Sequence, residues 1–444
     1  MKKQHDFTKG SILKHLVIFS APVIVTNLLQ TSYQFVDSLW VGNLLGANAL
    51  GSVTVSSMII FTVLSFVLGL NNAALTILSQ QKGRDDEQGL RKYLNAFVVI
   101  LTLMAIALGI FGSIFAAPLL RLLGTPEGMM AGATAYLQIN FLGILFLLGY
   151  NFIGTVLRSL GDSRTPMRFV MLAVSLNIVL DPLFIAGFNL GIQGAAYATI
   201  AAQGSAFIYG LVYVLYRKLA PFTLPTLPSR KQVGLILNLG IPSGLQMAVI
   251  SAGSAAILSV VTDFGEGAVA GYGAAQRLDS LLLLPAQALG TSVNSMAGQN
   301  IGVGNWQRVK SIAKYGVLFS FSIMVVLGIL AIFLAEYGIR LFMDEPSAVT
   351  FGTEYLQIVA LCYPFLGINF LLNGIVRSSG AMYQVLVLNI ISFWVLRFPL
   401  AAIMSSWLGE IGIALGIGMS FILSSLVAIL YFRFGKWREK ELFS

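Results

Sequence analysis

The chain has 444 residues, of which 57% are hydrophobic and only 10% charged, with a net charge of +9. A soluble domain carries about a quarter charged residues, so a water-soluble globule is excluded. The single cysteine, Cys362, excludes an internal disulfide, and the only two histidines, His5 and His15, form no cluster with metal-site spacing, so zinc, haem and thiol catalysis have no residues to stand on.

The apolar residues gather into runs such as 16–40, 95–120 and 317–335, each long enough to cross about 30 Å of hydrocarbon as a helix. Short alternating segments of the kind that build membrane barrels are absent. The first run is too long for a signal-peptide core and lacks a small-residue cleavage site, so it is expected to be retained as a helix. The runs and their breaks predict an all-α polytopic membrane protein of twelve transmembrane helices, near 12–40, 50–80, 93–120, 131–157, 167–187, 191–216, 233–262, 269–299, 312–335, 352–376, 384–404 and 410–433.

An even number of spans puts both termini on one side, and the positive-inside rule tests the count. Lys2, Lys3, Lys9 and Lys14 precede the first span; Lys82, Arg84, Arg91 and Lys92 follow the second; Arg158, Arg164 and Arg168 follow the fourth; Arg217, Lys218, Arg230 and Lys231 follow the sixth. Arg308, Lys310, Lys314, Arg377, Arg433, Lys436, Arg438 and Lys440 then fall on that same side. Of the 27 basic residues, only Arg121 and Arg340 lie in opposite loops, with Arg277 and Arg397 inside spans. Both termini are therefore expected to be cytoplasmic, in a plasma-membrane protein. Juxtamembrane placement and anionic lipid account for these cations, so nucleic acid is not an expected partner.

A shift of about 219 residues lays Tyr136-Leu137-Gln138-Ile139 on Tyr355-Leu356-Gln357-Ile358 and Arg158-Ser159-Leu160-Gly161 on Arg377-Ser378-Ser379-Gly380. Small slips then pair Pro22 with Pro242 and Pro182 with Pro399. The chain reads as a duplicated six-helix unit: an amino-terminal lobe over 1–216, a proline-containing cytoplasmic linker over 217–232 and a carboxy-terminal lobe over 233–444. Two parallel repeats that rock about a shared cavity are a transporter design, which a channel does not need.

Ionisable residues within spans are costly and need a reason. They are Asp37, Asp181, Arg277, Asp279 and Arg397. Gln30, Tyr33 and Asp37 share one helical face, Asn177 and Asp181 share another, and Ala195 and Thr199 have the same spacing on a third. Counting from the outer ends of their spans places Asp37, Asp181 and Thr199 within about 5 Å of one depth. Carboxylate, amide and hydroxyl at one depth suit a small cation or a proton; the alternative is that the two acids cap helix ends. Two acids close together in an apolar medium repel when both are charged, so the pair is suited to taking up a proton, or to holding Na⁺ when deprotonated. The second lobe matches these acids with Ala256 or Ile257 and Phe398 or Pro399, and its Asp279 is expected to pair with Arg277 or Arg397 as a structural contact. No nucleophile, acid and base converge, so an enzyme is not expected.

Leu157-Arg158-Ser159-Leu160-Gly161-Asp162 with Pro166-Met167, then Asn177-Ile178-Val179-Leu180-Asp181-Pro182, then Gly191-Ile192-Gln193-Gly194-Ala195-Ala196, together with Pro22 and Asp37, resemble the multidrug and toxic compound extrusion (MATE) transporters along the whole chain. The resemblance implies antiport without a cofactor, in which inward H⁺ or Na⁺ drives efflux of amphipathic, often cationic drugs, through a cavity between lobes of a monomer in lipid. It implies a cation or proton site at Asp37, Asn177, Asp181, Ala195 and Thr199, and a cavity wall that includes Gln30, Tyr33, Tyr136 and Asn151. NorM-type relatives keep acids in the seventh and tenth spans, whereas here the seventh has none and the tenth offers Asn369 and Asn373 at depth, so the sequence looks more like the DNA-damage-inducible-F-like (DinF) branch. In that branch Pro22 would bend the first helix as Asp37 changes protonation; from the sequence alone a static kink is equally compatible. A lipid-linked oligosaccharide flippase of the same superfamily is the alternative, with Arg277 and Arg397 as its only support.

Overall fold

A computed structural model describes residues 5–443, so Lys2 and Lys3, two of the cations expected on the cytoplasmic side, lie outside the described residues. The described chain is helical throughout, with no strand. In the first half, α1 is Ile12–Leu45, α2 Ala47–Gly83, α3 Glu87–Leu122, α4 Glu127–Leu142, α5 Ile144–Ser159, α6 Arg164–Pro182 with a π-helical turn Leu183–Gly187, and α7 Gly191–Arg217. In the second half, α8 is Arg230–Thr262, α9 Glu266–Leu282, α10 Leu284–Gly302, α11 Trp306–Arg340, α12 Pro346–Ala360, α13 Tyr363–Ser378, α14 Met382–Ile390 with a π-helical segment Ile391–Arg397, α15 Phe398–Leu408 and α16 Glu410–Phe434.

Nine of the described stretches are long and apolar enough to cross a membrane singly, and two bent pairs, α4–α5 at 49° and α12–α13 at 57°, are long and apolar enough when each is taken together. The remaining expected span is α9–α10, broken at Leu283. Its second half carries Gln287, Asn294, Gln299 and Asn300, too polar to register as a lipid-crossing run; Gln287 is exposed, whereas Asn294, Gln299 and Asn300 are buried.

The duplication is visible in backbone detail. Asp86 accepts the Gly89 amide at 2.8 Å to cap α3, and Asn305 accepts the Arg308 amide at 3.0 Å to cap α11, which is the repeat-related position. The bends at Gly143 and Cys362 also correspond. Gly161 and Gly380 both take φ near +90° (89° and 88°), a left-handed turn that a side chain resists.

The chain forms two compact units. The first contains Ala21–Asn238 and the residues before Phe7; the second contains Phe7–Ser20 and Leu239–Ser444. In the first unit Ile59, Val67, Ala105, Leu120, Leu137, Phe141 and Leu148 form a buried cluster, while Leu103, Ile106, Ile110 and Ile114 form an exposed stripe along α3. That stripe would be a liability in water and is the expected surface against lipid tails. The linker is tied to this unit by Asn95, whose side chain donates to the Thr226 carbonyl at 2.7 Å and accepts the Thr226 amide at 2.9 Å.

In the second unit Tyr272, Met324, Leu356, Val359, Tyr363 and Phe421 centre one cluster, and Phe7, Leu16 and Phe19 pack into another with Leu289, Val293 and Trp437. Arg308 donates to the carbonyls of Phe7, Lys9 and Gly10, which fixes the start of the chain to α11. Here α10 and α13 cross so closely that a Cβ on Gly374 would sit 2.3 Å from the Gly290 carbonyl oxygen. Backbone cannot yield as a side chain can, so Gly374→Ala should cost about 1–3 kcal/mol, read as a lower melting temperature of the purified protein in detergent. An unchanged melting temperature would mean that the two helices can separate at this crossing without cost.

Candidate functional site

The site is built in the first unit from α1, α6 and α7. On α1, the seven-residue interval from Gln30 to Asp37 is two helical turns, so Gln30, Tyr33 and Asp37 project from one face. Asp37 is 8% exposed and Tyr33 is partly buried. On α6, Asn177 and Asp181 are fully buried one turn apart, and the Asn177 amide donates to Asp181 Oδ1 at 3.0 Å. On α7, Ala195 is fully buried and Thr199 accepts the Tyr33 hydroxyl at 3.1 Å. The three polar faces expected from spacing therefore meet.

The carboxyls of Asp37 and Asp181 are close enough to interact directly. Two bare carboxylates repel in that position, so the geometry calls for a shared proton or a cation between them. Asp37 Oδ1, Asp181 Oδ2 and Asn177 Oδ1 are all buried and receive no donor. Buried oxygens without donors are rare in folded proteins, and three of them on two helices form a hard-oxygen cradle suited to H⁺ or Na⁺.

The capping alternative does not fit. Asp181 stands six residues before the end of the continuous helix Arg164–Gly187, far from its start, where an acid would cap. The π-helical turn that follows re-satisfies the backbone after Pro182, and such turns recur at functional sites. Gly194, beside Ala195, lets α7 approach that turn: a Cβ there would lie 2.6 Å from the Phe184 carbonyl oxygen.

The expected cavity residues divide. Gln30 donates to the Tyr150 hydroxyl at 2.9 Å, which extends the polar face to α5 through a tyrosine that helical spacing does not single out. Tyr136 is 4% exposed and packs with Val41, Ile185 and Ala195, within electrostatic range of both acids. Asn151 is spent on its own helix, donating to the Leu147 carbonyl at 2.8 Å. Pro22 sits in α1 with its carbonyl taken by the Thr26 hydroxyl at 2.7 Å, and the division between the two compact units falls just before it, between Ser20 and Ala21.

In the second unit the expected ion pair of Asp279 with an arginine is absent. Among the described residues neither Arg277 nor Arg397 forms an ion pair with Asp279, whereas Arg91 pairs with Glu87 and Arg340 with Glu336. Asp279 instead accepts the Tyr363 hydroxyl, because the bend between α12 and α13 brings Tyr363 against α9. Arg277 is exposed and lies over the Phe342 ring at 5.5 Å. Arg397 is buried between the rings of Phe393 and Phe421, at 3.8 and 4.7 Å, and donates to Ser420 at 3.3 Å.

The Asn177 contact yields a graded prediction. Asn177→Ala removes one donor to Asp181 and one oxygen of the cradle, at a cost of about 1–3 kcal/mol, so the coupling ion should bind about tenfold more weakly in an isotope or proton-release titration. Binding equal to that of the unsubstituted protein would remove Asn177 from the site.

The sequence profile of the MatE family matches residues 22–183 and again 242–403, one match in each repeat. The chain is 60% identical over 442 residues to the probable multidrug resistance protein YpnP of Bacillus subtilis, covering 100% of this chain and 99% of that one. It is 29% identical to the probable multidrug resistance protein YoeA of the same organism, covering 98% and 96%. Among solved structures, an outward-facing multidrug resistance MATE family transporter superposes with a TM-score of 0.92 at 23% identity, over 98% of each chain. A MOP superfamily transporter from Pyrococcus furiosus superposes at 0.90 and 23% identity, again over 98% of each chain. Two profile matches, a full-length relative at 60% identity and a shared fold all agree: this chain belongs to the MatE family, the MATE transporters.

Proposed function

We propose that this protein is a secondary active multidrug efflux antiporter of the plasma membrane, working as a monomer with both termini cytoplasmic. It exports amphipathic, often cationic organic compounds in exchange for H⁺ or Na⁺. The observation that carries the coupling assignment is the facing pair Asp37 and Asp181, with three donorless oxygens around it. Relatives named multidrug resistance proteins support the cargo class, and the distribution of Lys and Arg supports the orientation.

Antiport requires that ion and cargo favour different states of one element. In this reading that element is α1: a proton or Na⁺ at Asp37 changes its polar face, and the helix bends at Pro22, which lacks the amide that would hold it straight. Placing coupling in the first unit follows the DinF-like pattern and fits the absence of acids from α8 and α13.

Cells expressing the protein should tolerate amphipathic cationic dyes and expel them when energised, and collapse of the ion gradients should stop the efflux. Pro22→Ala should lower the efflux rate several-fold with normal amounts of protein in the membrane, measured by dye retention. An unaltered rate would leave Pro22 as a static kink.

A further inference from the structure

Arg397 is a buried cation without a protein counter-ion. It is 9% exposed, it takes part in no ion pair among the described residues, and its one hydrogen bond comes from Nε, to Ser420. Its two terminal nitrogens donate to nothing among the described residues. Asp279 is near enough to be felt electrostatically, but that carboxyl already accepts the Tyr363 hydroxyl. The rings of Phe393 and Phe421 hold the guanidinium in a fixed plane and offset only part of its lost hydration. Eleven residues separate Arg397 from the outer end of α15, about 17 Å of helix, too deep for a lipid headgroup.

A charge in the membrane interior is retained for a partner or a function. A planar fork of free N–H groups matches a carboxylate or sulfonate in bidentate fashion. Tyr272 and Tyr355, which also lie within electrostatic range of Arg397, and the two phenylalanines surround the fork with aromatic surface. The preceding π-helical segment, Ile391–Arg397, ends on this residue. The two repeats thus place opposite charges near corresponding prolines, Asp181 before Pro182 and Arg397 before Pro399.

We propose that Arg397 anchors the acidic group of an aromatic substrate, so that the second unit selects organic anions and zwitterions in addition to the cations expected above. This rests on the export reading for its biological sense, but binding itself needs no gradient. The two can therefore be tested apart.

The probe is a matched pair of dyes, rhodamine 110 with a free carboxylate and rhodamine 123, its methyl ester, bound to purified protein in nanodiscs of phosphatidylcholine alone. Arg397→Gln should weaken rhodamine 110 binding at least tenfold and change rhodamine 123 binding less than twofold, with Arg397→Lys between. If Arg397→Gln yields no folded protein, Arg397→Lys decides, since it keeps the charge and loses the fork. Equal loss of both dyes, no change in either, or rhodamine 110 binding that appears only when phosphatidylglycerol is added would overturn the proposal. Failure of the unsubstituted protein to move either dye under any gradient would instead count against export.

Discussion

Asp37→Asn should reduce gradient-driven efflux to the leak of protein-free vesicles while the protein reaches the membrane in normal amount. Asparagine keeps the shape and hydrogen-bonding size of the side chain but can neither take up a proton nor carry the charge that draws Na⁺. The cradle then loses one of its two anionic ligands and Asp181 no longer has a like-charged neighbour, so the reason for binding an ion disappears. Cargo binding should persist, because nothing in the substitution fills space or removes an aromatic surface. Dye efflux together with dye binding checks both halves of this expectation.

Asp181→Asn should also abolish coupling, and it separates a functional acid from a structural one. A carboxylate within a membrane helix costs about 2.5–3.5 kcal/mol on insertion scales, and Asp181 is fully buried within the helix Arg164–Gly187. Neutralising it should leave the melting temperature equal to or above that of the unsubstituted protein, the signature of a group kept for activity at a cost in stability. Asp181→Ala differs, since it strands the Asn177 amide in an apolar site and should lower the melting temperature. Efflux retained in Asp181→Asn, or a melting temperature several degrees lower, would make the acid structural.

The helices were legible because lipid imposes a simple rule: long apolar runs and cations on one side specify spans and topology together. The polar face of α1 and the Asn177–Asp181 pair were legible for a related reason, since helical spacing alone fixes which side chains share a face. Other features were not. The bend between α4 and α5 turns on Gly143, one glycine among 45 in the chain. Tyr150 and Tyr363 meet Gln30 and Asp279 from helices distant in sequence, and no periodicity within a helix can announce a contact of that kind. The expectation of an Asp279–arginine pair failed for the same reason: charge complementarity suggested it, and a tyrosine supplied by a bend took its place.

The most direct test reconstitutes the unsubstituted protein, Asp37→Asn and Asp279→Asn in liposomes and follows dye efflux under a pH gradient and a Na⁺ gradient imposed separately. One of the two gradients should drive efflux in the unsubstituted protein and in Asp279→Asn, and neither should do so in Asp37→Asn. Gradient-driven efflux that survives in Asp37→Asn, or that vanishes only in Asp279→Asn, would contradict coupling in the first unit.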